Sequence, residues 1–434
     1  MESSSNNQDV ILCRENYAKW KNPKTKLCKN VEKFTWTTKN RMEVSLITFG
    51  ARLISIKLPD RNGECKDVLH GYDNFEDYAK DGKFHFGATI GPVAGIIKNS
   101  EYCMNGRYHK VPRNYKNKHC MNSGKNGLQR VNWMSHIDGT DVILSHATDG
   151  TNGFPAIILI QIIFSVSSKN HLTIKMTARS NKVTPIDLSQ QLYINLASHD
   201  GGDNELKDHL ISINSSKFRR KDDEGIFKKS FEKIETDLRN LTEVRQLIDN
   251  ESKSLDCLYE IDNDELIESI PMVMQAIHPS SGRIIEIFSN QPALYLSLCP
   301  EFPVRESEED EKADQKSSTE NLTLEYLRTK LTEKEIEFFK CRADTEAVDL
   351  KPREVSIVDE CPTIPVSEEV DKEIIGKDGT KYFQNCGFSI SCHNFPNAVN
   401  HQNRYPEILL KPGSVYENVT ILKFKVHVLI SPAD

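Results

Sequence analysis

Leu422-Lys-Phe-Lys-Val-His-Val428 alternates apolar and polar residues without a break. Successive side chains of an extended strand point to opposite faces, so Leu422, Phe424, Val426 and Val428 share one surface and Lys423, Lys425 and His427 the other. A helix would scatter the same residues around its circumference, and the stretch therefore reads as a half-buried antiparallel strand. The period of two recurs in Leu172-Thr-Ile-Lys-Met176 and in short segments carrying Val44, Leu46, Ile54, Ile56 and Leu58. Turn signals separate such runs: Asp60-Arg-Asn-Gly63, Asn105-Gly106, Asp149-Gly150, Asn152-Gly153, Ser281-Gly282 and Pro412-Gly413. Asn, Asp and Gly tolerate the backbone conformations that tight turns need. Helical periodicity is nearly absent from the main body, so an all-β sandwich or barrel is expected.

The 434 residues are 38% hydrophobic and 27% charged, with a mean hydropathy of -0.52. A globular chain of this length can bury a core without disulfide or metal staples. Its formal charge of -7, from 56 basic and 63 acidic residues, offers no basic footprint, so no nucleic-acid partner is expected. The most apolar run, Phe154 to Val166, covers about half a bilayer span and is interrupted by Gln161; it reads as a buried strand, with no membrane partner. Eleven scattered cysteines without a C-x-x-C pair read as reduced thiols,. The start, MESSSNNQDVILCREN, shows neither a basic nor a continuous apolar region of a secretory signal, and a cytoplasmic location is expected. The five N-x-S/T matches, at Asn214, Asn240, Asn250, Asn321 and Asn418, then count as chance.

Two composition shifts divide the chain. Residues 1–33 are polar, rich in Lys and Asn, and read as an N-terminal extension. From Arg305-Glu-Ser-Glu-Glu-Asp-Glu311 onward the chain turns acidic: residues 301–372 hold 21 acidic and 11 basic side chains. The expected organisation is a β-sandwich domain over 34–302 and 373–434, interrupted by an acidic insertion over 303–372. Asn321 to Lys340 carries spaced apolar residues and a Thr332-x-x-Glu335 capping box, so part of the insertion is expected to be helical and part disordered. It is either a solvated surface insertion or an arm for a protein partner.

Generic motifs supply no chemistry. Gly87-x-x-x-Gly91-x-x-x-Gly95 lacks the spacing and the lysine of a phosphate loop, and Asp200-Gly-Gly-Asp-Asn204 lacks the rest of a calcium loop. No metal-ligand spacing is present, and no cofactor or metal is expected.

Taken in order, several segments resemble the aldose 1-epimerase, or galactose mutarotase, family: Val44-Ser-Leu-Ile-Thr-Phe-Gly-Ala51, Phe86-Gly-Ala-Thr-Ile-Gly91, Asp149-Gly-x-x-Gly-Phe-Pro155, Thr184-Pro-Ile-Asp-Leu188, Leu192-Tyr-Ile-Asn-Leu-Ala197, Asn290-Gln-Pro292, Asn394-Phe-Pro-Asn-Ala-Val-Asn400 and Leu409-Leu-Lys-Pro-Gly413. The resemblance covers about residues 34 to 302 and 373 to 430. It implies a large antiparallel β-sandwich, the galactose mutarotase-like supersandwich, with a sugar cleft on a concave face. It also implies a free hexose such as galactose or glucose as ligand.

Mutarotation needs a base at the anomeric hydroxyl and an acid at the ring oxygen. In the resembled family a glutamate is the base and a histidine the acid, while a second histidine, an Asn-Arg pair and an aspartate hold the sugar. By the resemblance, the base position falls at Ser391 and the acid position at Gln191. Neither a hydroxyl nor a carboxamide changes protonation near pH 7, so the help of roughly 100-fold to 10,000-fold per group is lost. The second histidine aligns with Asn122 and the Asn-Arg pair with Gly95-Ile96. Asp256 stands at the sugar-binding aspartate, and Tyr295 where the family sets a residue against the ring. His393, two residues after Ser391, shares its face on a strand and is a candidate displaced base; Cys392 between them faces the other way. Three functions follow as expectations. The first is an aldose 1-epimerase-like protein that is catalytically impaired and retains some carbohydrate binding. The others are an active epimerase with a relocated acid-base pair, and a non-catalytic interaction protein acting through 303–372.

Overall fold

The structure, a computed structural model, describes residues 9–233, 237–251, 255–262, 270–305 and 373–427. Its widest element is a nine-stranded antiparallel sheet with the order Met134–Asp138, Asp141–Ala147, Ile158–Val166, His171–Ser180, Tyr416–Val426, Arg283–Ser289, Met272–His278, Leu210–Ile213, Thr242–Glu243. The alternating stretch at Leu422 lies in its central strand, where Leu422 and Phe424 are buried. Lys423 and Lys425 take the other face, Lys423 Nζ sitting 3.7 Å from the Phe288 ring centroid and Lys425 pairing with Glu286. Ile158–Val166 is a strand, as its apolar run implied, with Ile158, Ile160, Ile162 and Phe164 fully buried.

A second, six-stranded antiparallel sheet lies against it in the order Leu192–Ile194, Phe388–His393, Ala293–Ser297, Cys257–Glu260, Lys217–Arg220, Glu232–Lys233. One face of this sheet, carrying Leu294, Leu296, Ile390, Cys392 and Tyr259, joins Ile160, Phe164, Ile174, Leu422 and Phe424 of the wide sheet in the main core. Each such side chain contributes about 1.5–3 kcal/mol of burial. The intervening residues, Tyr295, Ser389, Ser391 and His393, necessarily face away from that core. One alternation therefore seals the sandwich and furnishes a polar surface behind it.

The amino-terminal part departs from the expected extension. Val10–Lys21 pairs along its length with Cys28–Thr38, which continues the meander Glu43–Ile47, Arg52–Pro59, Cys65–Asp67 of a five-stranded sheet. Val10–Lys21 is an edge strand with half of its side chains exposed. Main-chain pairing, which carries no apolar pattern, is joined by packing of Val10, Leu12, Tyr17, Ala18 and Trp20 against the cores, and a register shift between Asn16 and Ala18 breaks the alternation of these residues. Cys28 also departs from expectation, since it is disulfide-bonded, whereas Cys13, Cys65, Cys103, Cys120, Cys257, Cys299, Cys386 and Cys392 are free thiols.

Where the chain resumes at residue 373 it is clamped to this sheet. Lys377 Nζ lies 2.7 Å from Asp67 Oδ2 and donates to Leu69 O at 2.6 Å, and the other Asp67 oxygen accepts from the Ile56 and Leu69 amides. Burial alone would raise the Asp67 carboxyl, but Lys377 and the amides hold it below its usual range,. Residues 306–372, and with them the expected helical stretch, lie outside the described residues.

Candidate active site

The outward face of the six-stranded sheet forms the floor of a cavity of about 190 Å³. Register sets the floor residue by residue: on the central pair Tyr295 lies opposite Ser391, Ser297 opposite Ser389 and Ala293 opposite His393. Tyr193 pairs with Ser389, so Gln191, two residues earlier, reaches the same side. Loops from elsewhere complete the wall with Asn122, Gly95, Lys83, Lys221 and Glu301. The volume is below the roughly 300–1,000 Å³ of common ligand pockets and suits one small ring rather than a chain.

Ser391, Gln191, His393, Tyr295 and Asn122 all line this one cavity. Asp256 stands against its wall, bonded to the hydroxyl of Tyr295 at 2.8 Å. Gln191 Nε2 donates to Ser389 Oγ at 2.8 Å, which anchors the carboxamide to the sheet. Asn122 Oδ1 accepts from the Gly95 amide at 3.0 Å, and the Asn122 amide donates to Gly95 O at 2.9 Å. Asn122 and Gly95 thus hold each other.

His393 faces the cavity, but its Nδ1 is engaged with Asn394 O at 2.5 Å, which accepts only, so the ring carries its proton there. Burial pushes the imidazole down to about 4. Asp187 Oδ2 lies 3.8 Å away, and burial pushes that carboxyl up to about 8, against the Asn394 amide bond that lowers it. Burial thus disfavours the charged form of both groups,. Cys392 is on the opposite face, in the main core, with its thiol pushed up to about 12 by burial. A Cys-His nucleophile pair is geometrically excluded.

Three charged residues of the cavity escape sequence reasoning. Lys221 Nζ bonds both Asp256 oxygens at 2.8 and 3.1 Å and Tyr295 Oη at 2.9 Å, and sits 4.8 Å from the Tyr295 ring centroid. The ammonium takes up the carboxylate and the phenol together. Glu301 follows the Ala293–Ser297 strand; burial raises its carboxyl above the usual range, with Asp256 adding to the effect and Lys221 and Lys83 opposing it. Lys83 Nζ donates to Glu301 O at 3.4 Å, and burial lowers its ammonium. Lys221 ends the basic run Lys217-Phe-Arg-Arg-Lys221, and Glu301 opens the acidic stretch, so in sequence each looks like solvent-facing charge.

Comparison with known proteins gives the family and agrees with the fold. The family model described as aldose 1-epimerase matches residues 32–313. The chain belongs to the aldose 1-epimerase family. It is 23% identical to galactose mutarotase of Rattus norvegicus over 404 residues, covering 91% of this chain and 94% of that protein. It is 22% identical to galactose mutarotase of Homo sapiens over 401 residues, with the same coverage. Among solved structures, the GalM/aldose epimerase homologue from C. elegans superposes with a TM-score of 0.66 at 20% identity, covering 90% of this chain and 97% of that one. Galactose 1-epimerase from Lactobacillus acidophilus NCFM also gives 0.66, at 17% identity and with 96% and 99% coverage. The fold is therefore that of the aldose epimerases.

Among the described residues no group of three or more His, Cys, Asp or Glu side chains is arranged to hold a metal ion. No helix among them is long and apolar enough to cross a membrane.

Proposed function

We propose that this member of the aldose 1-epimerase family is a carbohydrate-binding protein with impaired mutarotase activity. The observation that carries the reading is the pair of side chains on the cavity floor. Ser391 and Gln191, at the positions where the resembled family has its base and acid, have no titrating proton near neutrality, and Gln191 is tied to Ser389 at 2.8 Å. The cavity itself, its hydroxyl and carboxamide groups, and the Tyr295 ring support retention of a free hexose such as galactose or glucose. Asp256 is paired with Lys221 at 2.8 Å, so a sugar hydroxyl competes with an ammonium for it, and weak binding is the expectation. The test is polarimetry of α-galactose and α-glucose with purified protein, beside thermal unfolding with and without galactose. No acceleration over buffer, together with a galactose-dependent rise in Tm, is the expected result, because a ligand that binds only the folded state stabilises it. A fast natural rate would overturn the impairment.

One observation favours a second reading, an active epimerase with a relocated acid-base pair. Glu301 places a carboxyl with raised pKa in the same cavity, and raised carboxyls suit proton transfer near neutrality. It is a better relocated base than His393, whose lowered pKa makes it a weak one. Loss of any natural rate in Glu301→Gln, with the rate intact in His393→Ala, would establish this alternative. The interaction reading falls on residues 303–372, nearly all outside the described residues.

A further inference from the structure

A second pocket, of about 390 Å³, opens beyond the Asn394–Pro396 turn and shares no lining residue with the sugar cavity. Three cations converge on it, Arg219, Lys229 and Arg404, beside His401, and no Asp or Glu lines it. None of the three cations makes an ion pair among the described residues, in a chain whose net charge is -7.

Arg219 is held in place from within the fold, and the exposed Lys229 and Arg404 flank it at the pocket. Arg219 is 5% exposed; its Cζ lies 3.8 Å from the Phe231 ring centroid and 5.1 Å from that of Phe395. Its single hydrogen bond among the described residues runs from Nη2 to Tyr405 Oη at 2.7 Å, leaving the Nη1 donors unpartnered. Arg404 Cζ lies 5.4 Å from the Tyr405 ring centroid and 5.8 Å from that of Phe231. Stacking on aromatic faces fixes guanidinium planes and leaves their edges free to donate. The His401 imidazole senses the result: burial lowers its pKa first, and Lys229, Arg219 and Arg404, all cations, lower it further.

Like charges gathered without a counter-ion repel one another, and a bound anion would relieve that repulsion. Guanidinium edges match tetrahedral oxyanions, to which they donate paired hydrogen bonds. A bare phosphate would leave most of the pocket open, whose volume lies within the range of small-molecule sites. We propose that this pocket binds the phosphoryl group of a small phosphate monoester, with Arg219, Lys229 and Arg404 as its ligands.

The test uses the full chain and glycerol 3-phosphate as probe, with glycerol as the uncharged control and inorganic phosphate as the minimal anion. Isothermal titration calorimetry is expected to show saturable binding of glycerol 3-phosphate and weaker binding of phosphate, with none for glycerol. The Lys229→Ala, Arg404→Ala double variant removes two exposed side chains, and its affinity is expected to fall at least tenfold. Binding should also raise the His401 pKa in an NMR titration, which a purely structural role for the cations would not do. Galactose should not displace the probe, so failure here is separable from failure of the sugar site. Unchanged affinity in the double variant, an unmoved His401, or no binding at millimolar concentration would each overturn the proposal. Binding only to vesicles containing phosphatidic acid would do the same, since it would assign the surface to lipid.

Discussion

Installing a carboxyl at Ser391 and an imidazole at Gln191 tests the proposed function most directly. Ser391→Glu with Gln191→His places a carboxyl and an imidazole on the same cavity floor, where register brings Ser391 opposite Tyr295 and Gln191 beside Ser389. Ser391 is 4% exposed, so a carboxyl there would lose hydration and its pKa would rise, as burial already raises that of Glu301,. That shift favours a base working near neutrality. A positioned acid or base contributes about 10²–10⁴-fold, and the two act as a unit, so the pair is expected to add about 10²–10⁴-fold over the natural protein. The Gln191 hydrogen bond to Ser389 is lost, at about 0.5–1.5 kcal/mol, and urea unfolding should register a cost of that order plus the desolvation of the new carboxyl. Polarimetry of α-galactose reads the gain; each single variant should remain far below the double. A folded double variant that still binds galactose but runs at the buffer rate would refute the assignment of these two positions.

Other outcomes follow from the same structure. Lys377→Met leaves Asp67 buried without its cation and should cost about 3–5 kcal/mol in urea unfolding, more than Asp67→Asn with Lys377→Met, which removes both charges. Because the folded Asp67 carboxyl lies below its unfolded value of 3.8, the stability this pair confers is full above that pH and is lost as pH falls through the folded value; Tm against pH should show the loss in the natural protein and not in Lys377→Met. His393 is lowered from 6.5 to about 4, so its stability contribution is full above 6.5 and declines as pH falls toward 4. Any rate that depended on it as a base should persist down to about that pH, and a kinetic break near 6.5 abolished by His393→Ala would contradict the burial argument. Leu296→Ala, beneath the cavity floor in the main core, should destabilise by about 2–5 kcal/mol, and a cost below 1 kcal/mol would mean that this face is less tightly packed than its burial indicates.

How much was legible in the sequence depended on whether a feature is periodic. Strand alternation survives in a linear string because one face of the sheet must be apolar, so Leu172–Met176, Leu422–Phe424 and the shared face of Ser391 and His393 could all be read before any coordinates. Ordered family-like segments likewise pointed to the fold and to six residues that the structure gathers at one cavity. The edge strand Val10–Lys21 could not be read, because half of its side chains are exposed and a register shift between Asn16 and Ala18 breaks the alternation of those that pack inward. Lys221 and Glu301 stayed hidden for a different reason. A lysine in a basic run and a glutamate at the head of an acidic one look solvated, and only the closure of loops over the six-stranded sheet brings them against Asp256, Tyr295 and each other. The sequence by itself determined the sheet sandwich and that neither Ser391 nor Gln191 titrates near neutrality, since residue type fixes whether a proton can leave. Tertiary structure alone decided which charges share the cavity, why His393 is a poor base, and that three cations meet beside His401, because burial and long-range proximity are properties of the folded chain.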